Sequence, residues 1–255
     1  MGSKRIHLRP SEAAEQGWLN KGQLKAIGLM PGDETPVAGT VWQGQGWYAV
    51  FDPETCVPWQ RLPGPAQKRR MECGERAKNL LAGDPVILDL ETTGLGPSAE
   101  IVEIGAVDAN GRVLMESLVC PVGAIEVEAT EVHGLSLEDV RTAPTWGELA
   151  SDFSSLVQDR TVVAYNVAFE LRLLNQTASL VGVESPVVGS SECVMALFSR
   201  WNGEQRPSGG FQWISLADAA AMCRVRSERP HRALSDCLDA LGVLKYMAKR
   251  SGGQR

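Results

Sequence analysis

The chain has 255 residues, 44% hydrophobic and 22% charged, with a net charge of −6. That is ordinary globular composition, enough for one large domain or for a mid-sized domain with a small companion. It excludes a membrane span, because no window approaches roughly 18 uninterrupted apolar residues; a secretory signal, because no apolar segment follows Met1–Arg5; and a surface basic throughout.

Charge is unevenly spread. Up to residue 83 bases exceed acids by 3, and from 84 onward acids exceed bases by 9. A cation bound in the acidic part would reverse its sign locally. The six cysteines, at 56, 73, 120, 193, 223 and 237, never reach C-x-x-C spacing, and only three histidines are present. The pattern argues against zinc and for reduced thiols in a cytoplasmic protein. Ile6 stands where a myristoylation motif would carry Ser or Thr.

In chain order, residues 1–65 read as a small α+β segment. Residues 11–28 predict a helix, weakened by Gly17 and Gly22. Thr40–Trp42 and Trp47–Phe51 predict a hairpin around 43–46. The aromatic residues of this segment are expected to form its core rather than to stack on bases. Arg61–Gln67 reads as a linker, and 66–83 as a linker helix whose run Lys68-Arg69-Arg70 predicts a solvated face.

From 84 to 250 the pattern changes. Val86–Glu91 is a strand in which Val86, Leu88 and Leu90 face one way while Asp89 and Glu91 face the other. Two like charges side by side on an apolar strand repel unless a cation joins them, and hard divalent ions take oxygen ligands. Strands at 100–108 and 112–120 flank Asn110-Gly111, a hairpin signal. A short helix within 131–140 carries Ser136 and Asp139 at capping-box spacing. An amphipathic helix over 145–157, a buried strand at 161–165 and a helix capped by Asn166 follow. A strand at 187–193, helices near 194–201 and 215–223 and a long helix over 232–249 complete the domain, and 251–255 reads as a disordered tail. The alternation implies a mixed sheet with helices on both faces. Two further acids stand in apolar settings: Glu170 beside Phe169, Leu173 and Leu174, and Asp236 between Ala233 and Ala240. Buried acids need a partner or a metal. His231, five residues before Asp236, is placed to act as a base, since imidazole titrates near neutral pH.

Three segments, in this order, resemble the motifs of the DEDDh 3′–5′ exonucleases, the DnaQ-like group with the ribonuclease H-like fold. They are Asp89-Leu90-Glu91-Thr92-Thr93-Gly94, Tyr165-Asn166-Val167-Ala168-Phe169-Glu170 and His231-Arg232-Ala233-Leu234-Ser235-Asp236. His133-Gly134-Leu135 and Ala143-Pro144-Thr145 match the family's intervening segment. The resemblance implies a five-stranded mixed sheet and hydrolysis of phosphodiesters with two Mg²⁺ or Mn²⁺ ions. It implies that Asp89 bridges both ions, that Glu91 and Asp236 hold the ion carrying the attacking water, and that Glu170 positions the second. His231 would take the proton, Leu95 and Phe169 would pack on terminal bases, and Thr92, Thr93 and Asn166 would contact the terminal nucleotide. The expected substrate is nucleic acid with a free 3′ end, single-stranded DNA in preference, with a polymerase or repair protein as a possible partner. The second motif normally supplies Asp, so Glu170 is a departure that lengthens one ligand by a methylene. Alternatives are RNA as substrate, or a weakly active nucleic-acid-binding module.

Overall fold

Strands rich in β-branched residues and helices with apolar stripes sort this chain into two units, Met1–Pro63 and Gly64–Arg255. The computed structural model describes residues 6–43, 46–59, 64–225 and 231–251.

The first unit contains β1 (His7–Leu8), α1 (Pro10–Glu15), β2 (Leu19–Asn20), α2 (Lys21–Ala26), β3 (Leu29–Met30), β4 (Gly39–Gln43), β5 (Gly46–Phe51) and β6 (Val57–Pro58). Its main sheet runs β1-β4-β5-β2, and β3 pairs with β6. The expected hairpin forms as β4–β5, with Trp42 directly opposite Trp47. The helix expected over 11–28 is instead two short ones. Gly17, at φ +72°, takes the left-handed conformation that suits glycine and follows the end of α1. The Asn20 side chain then accepts the Gln23 amide at 3.0 Å and starts α2. The expectation of an aromatic core holds for Phe51, which is buried, and for Trp18, which packs against Ala13, Val41 and Val50, but not for Trp42 and Trp47, which are 51% and 54% exposed. Strand alternation explains this, because residues 41 and 42 point to opposite faces and α1 covers only the first.

The second unit contains α3 (Pro65–Ala82), β7 (Val86–Thr92), β8 (Ile101–Val107), β9 (Val113–Leu118), α4 (Val127–His133), α5 (Leu137–Val140) and α6 (Trp146–Val157). There follow β10 (Thr161–Ala164), α7 (Val167–Val181), β11 (Ser190–Cys193), α8 (Val194–Asn202), α9 (Leu216–Cys223) and α10 (Ala233–Ala248). The five strands lie in the order β11-β10-β7-β8-β9. β10 is parallel to both neighbours, and β8 is antiparallel to both of its own. This is the ribonuclease H-like mixed sheet that the motifs implied.

Each face of the sheet is buried under helices. Val86, Leu88, Leu90 and Val162 pack on Trp146 and Phe153 of α6 and on Leu173 and Leu174 of α7. Ile87, Val107 and Val163, on the other face, pack with Cys73 and Ala77 of α3, Phe198 of α8 and Leu241 and Leu244 of α10. The helix expected within 131–140 proves to be two, α4 and α5, with Gly134 between them and the Ser136–Asp139 capping box opening the second. All six cysteines are free, and half of them are buried.

Lys68 and Arg70 of the basic run on α3 are exposed, as expected, but arginines of this helix also reach neighbouring elements. Arg69 donates to the Arg200 carbonyl at 2.8 Å, the Arg70 guanidinium lies 5.0 Å from the Trp201 ring centre, and Arg76 pairs with Glu192 at 2.6 Å. These cations clasp α8 and β11. Ser251, expected in the disordered tail, is buried, and its amide donates to the Ala248 carbonyl; residues 252–255 lie outside those described.

One close approach sets the depth at which α10 sits. A Cβ on Gly105 of β8 would lie 2.6 Å from the backbone carbon of Ala233 and from the amide nitrogen of Leu234. Glycine therefore lets the first turn of α10 rest directly on the sheet. Gly105→Ala is expected to push α10 outward and cost about 1–3 kcal/mol, the usual range for overpacking. A chemical denaturation midpoint unchanged by this substitution would contradict the account.

Candidate active site

The first strand of the sheet supplies two of the candidate acids by alternation alone. Asp89 and Glu91 project from β7 on the face opposite Leu88 and Leu90. Asp89 is paired with Gly105 on β8, so the chain seated on that glycine is the start of α10. One turn into α10, Asp236 meets the strand. Oxygens of Asp89, Glu91 and Asp236 all lie within 4.8 Å of one another, and the three residues are partly exposed. Glu170 comes from the first turn of α7, at the C-terminal end of β10. It is 4% exposed, and its Oε2 has no hydrogen-bond partner.

The electrostatics follow from this crowding. Burial, then the charges of Glu170, Asp236 and Glu91, hold the Asp89 carboxyl well above the usual carboxylate range. Burial, then Glu91, does the same to Glu170, opposed by a hydrogen bond from the Leu90 amide. Burial and the charge of Asp236 push Glu91 up to about 8. Burial raises Asp236 to about 6, against the His231 charge and a hydrogen bond from the His231 amide. A carboxylate set with a shared focus and one orphaned buried oxygen beside it fits a hard divalent ion. The donor set is all oxygen, which suits hard divalent ions and not a thiolate-loving metal.

His231 is exposed, beside Asp236 at the head of α10, and its backbone sits at φ +61°. That conformation is uncommon outside glycine and turns the chain sharply into the helix. Its placement depends on a pair the sequence reading missed. Glu103, paired with Glu91 across β7 and β8, is buried and accepts from Arg232 Nη2 at 2.5 Å and from Arg232 Nε at 3.0 Å. It also accepts the Ala233 amide at 3.1 Å, capping the helix start next to His231. The sequence marks Glu103 as an acid in an otherwise apolar strand, but its place across from Glu91 and its pairing with Arg232 come only from the fold.

The loop after β7 is held from below. The Thr92 hydroxyl donates to the Gly94 carbonyl at 2.8 Å, and the Thr93 hydroxyl accepts the Glu100 amide at 2.9 Å. The Thr93 amide is spent on the Glu100 carbonyl. Both threonines are buried, so the groups that could meet a nucleotide are few. His133, whose motif position was noted without a role, braces the loop. Its Nδ1 accepts the Leu135 amide at 3.0 Å, so Nε2 carries the proton and donates to the Thr92 carbonyl at 3.1 Å. Burial lowers its pKa and keeps it neutral. From α7, Gln176 Nε2 donates to the carbonyls of Gly96 and Ala99. Leu95, on this loop, is 76% exposed. Phe169 is half-buried with the Arg172 guanidinium 5.1 Å from its ring centre. Asn166 occupies the helix-cap position but makes no side-chain cap bond there, contrary to expectation, and is exposed.

A model of the exonuclease family matches residues 86–244, most of the second unit and more than half of the chain. The chain belongs to that family, and its motifs and fold make it a DnaQ-like member, a nuclease acting on nucleic acid. It is 40% identical over 181 residues to an uncharacterized exonuclease of Escherichia phage 186, covering 69% of this chain and 93% of that protein. It is 34% identical over 102 residues to the DNA polymerase III subunit epsilon of Rickettsia typhi, spanning 38% of this chain and 44% of that protein. Among solved structures it resembles exonuclease X in complex with 5′ overhanging duplex DNA, at 25% identity and a TM-score of 0.51, covering 66% of this chain and 92% of that one. The nuclease domain of a DEDDh 3′ exonuclease bound to rAMP shares the fold at 14% identity and a TM-score of 0.51, covering 67% of this chain and 92% of that one. Among the described residues no helix is long and apolar enough to cross a membrane.

The raised carboxyls make stability depend on pH in a defined direction. A folded-state pKa above the unfolded value means that the folded protein keeps a proton the unfolded chain has released. The stability this gives is lost as pH rises through the folded value. With Asp236 near 6 and Glu91 near 8, the metal-free protein is expected to melt several degrees lower at pH 8 than at pH 6. Mg²⁺ is expected to raise the midpoint more at pH 8 than at pH 6, because it binds the deprotonated set. Calorimetry at the two pH values, with EDTA or Mg²⁺, reads both effects. A metal-free midpoint that climbs with pH would show that the acids do not share a site.

Proposed function

We propose that this protein is a divalent-metal-dependent 3′–5′ exonuclease that removes 5′-mononucleotides from the 3′ ends of DNA. The observation that carries the reading is the convergence of Asp89, Glu91 and Asp236 within 4.8 Å, with the buried Glu170, one oxygen of which has no hydrogen-bond partner, close enough to raise the Asp89 carboxyl by its charge. Relatives named as exonucleases and as a DNA polymerase III subunit support it. When bound, two Mg²⁺ or Mn²⁺ ions supply positive charge to the scissile phosphate and lower the pKa of a bound water.

The chain's own residues divide the remaining work. Asp89, whose carboxyl feels the charges of the other three acids, would be shared by both ions, with Glu91 and Asp236 holding one and Glu170 the other. His231 takes the proton of the attacking water on an imidazole nitrogen, while Asp236 accepts the His231 amide and keeps that residue at the rim of the cluster. The exposed Leu95 and the ring of Phe169 receive the last bases of the strand. Asn166, its side chain free of the helix cap, offers an amide to the terminal nucleotide. A polymerase or repair complex is the natural setting for such an activity.

Single-stranded DNA and RNA labelled at the 5′ end, incubated with Mg²⁺ or Mn²⁺, are expected to give a ladder of shortened products from DNA. Asp89→Ala is expected to abolish it. No shortening of either substrate in either metal would refute the reading, and shortening of RNA alone would change the substrate.

Glu170 reaches one methylene further than the aspartate of the family motif. Glu170→Asp is therefore expected to change the Mg²⁺-supported rate by up to about 100-fold, the scale of a 1 Å misplacement, and the Mn²⁺-supported rate by less. Equal rates for the two proteins in both metals would show that the extra methylene is absorbed without consequence.

A further inference from the structure

We propose that the outer face of the N-terminal sheet is a second nucleic-acid site, a platform on which unpaired bases of a single strand stack. The exonuclease reading assigns nothing to this unit. The proposal rests on the unit's own side chains.

Register builds the platform. Trp42 lies opposite Trp47, and β1 brings His7 opposite Thr40, where its Nδ1 lies 2.9 Å from the Thr40 hydroxyl. Trp47, Ala49 and Phe51 alternate onto the same face. The His7 and Trp47 ring centres are 4.4 Å apart, and those of Trp42 and Trp47 5.7 Å. Three contiguous rings thus face outward on the side that α1 does not cover. A two-stranded hairpin gains little by exposing two tryptophans. Exposed aromatic patches mark binding surfaces.

The chemistry of the surroundings favours a polyanion that carries flat rings. At the far end of the same strand the buried Phe51 lines a groove of about 980 Å³ together with Lys21, Lys25, Asp33, Val57 and Trp59. The Lys25 ammonium lies 5.1 Å from the Trp59 ring centre. Neither lysine has an ion-pair partner among the described residues, whereas Arg9, the neighbouring cation, is spent on Glu12. Among the described residues Asp33 is the one acid lining the groove. Rings to stack on, followed by unpaired cations, match bases joined by phosphates. A proline-rich peptide would use the rings but not the lysines.

The test uses the full chain in EDTA, which keeps the oligonucleotide intact. Fluorescence anisotropy measures the affinity of labelled oligothymidylate for the natural protein, for Trp42→Ala/Trp47→Ala and for Trp42→Tyr/Trp47→Tyr. The alanine pair is expected to weaken binding on the order of tenfold or more, and the tyrosine pair to restore most of it, because stacking tolerates any aromatic ring. Hydrolysis of the p-nitrophenyl ester of thymidine 5′-monophosphate, which is too short to reach a second site, is expected to be equal in all three. Unchanged affinity in the alanine pair overturns the proposal. So does binding of a proline-rich peptide that the alanine pair loses while oligothymidylate binding persists. On the natural protein the same titration is expected to quench tryptophan fluorescence, and its absence overturns the proposal without any variant. Because affinity is read without metal, a protein that hydrolyses nothing still decides the question.

Discussion

Mutual repulsion among four carboxylates is the constraint on which the rest of the nuclease unit depends. Asp89, Glu91, Glu170 and Asp236 are each pushed above the ordinary carboxylate range by burial and, for three of them, by the charges of the others. Left to flexible loops, such groups would turn to solvent. Here they cannot, because each is fixed to an element buried on its other side. β7 is the central strand of five, α7 packs its apolar stripe on the sheet through Leu173 and Leu174, and α10 rests on Gly105. The stability of the scaffold holds the acids together, and a divalent cation relieves the strain. Metal affinity and fold stability are thereby two readings of one balance.

The supporting groups are arranged in the same spirit. Glu103 and Arg232 are themselves charged, yet they are matched to each other, so the cluster gains no further unpaired acid. The pair also closes the helix start at Ala233 and so fixes His231 where the peptide turns. Neutral His133 does a comparable service for the loop after β7, with no charge added near the acids.

Much of the nuclease unit was legible in the sequence. Period-two alternation in 86–91 separated the core-facing residues from the acids, Asn110-Gly111 announced the β8–β9 turn, and the order of the three motifs gave the fold. What was not legible depended on contacts between distant segments. The roles of Glu103 and Gly105 appear only when β8 is paired with β7 and covered by α10. The arginines of α3 read as solvent-facing because their partners on α8, Arg200 and Trp201, are more than a hundred residues away. The N-terminal unit was read least well. Gly17 and Asn20 break what reads as one helix, and Trp42 and Trp47, which read as core, lie exposed on the face opposite Val41 and Val50.

The position of α3 bears on where the nuclease begins as a folding unit. The family match starts at residue 86, and the first acidic motif at 89. Yet Cys73, Ala77 and Leu80 of α3 belong to the same buried cluster as Leu241, Leu244 and Met247 of α10. Backbone of Ser251 and Met247 lies so close to Gly74 that a Cβ there would come within 2.9 Å of it. A fragment cut at the motif boundary would strip one side of α10, the helix that carries Asp236, and expose apolar surface along its length. The compact unit that holds the carboxylates starts at Gly64, so the boundary of the family match and that of the structural unit are about twenty residues apart.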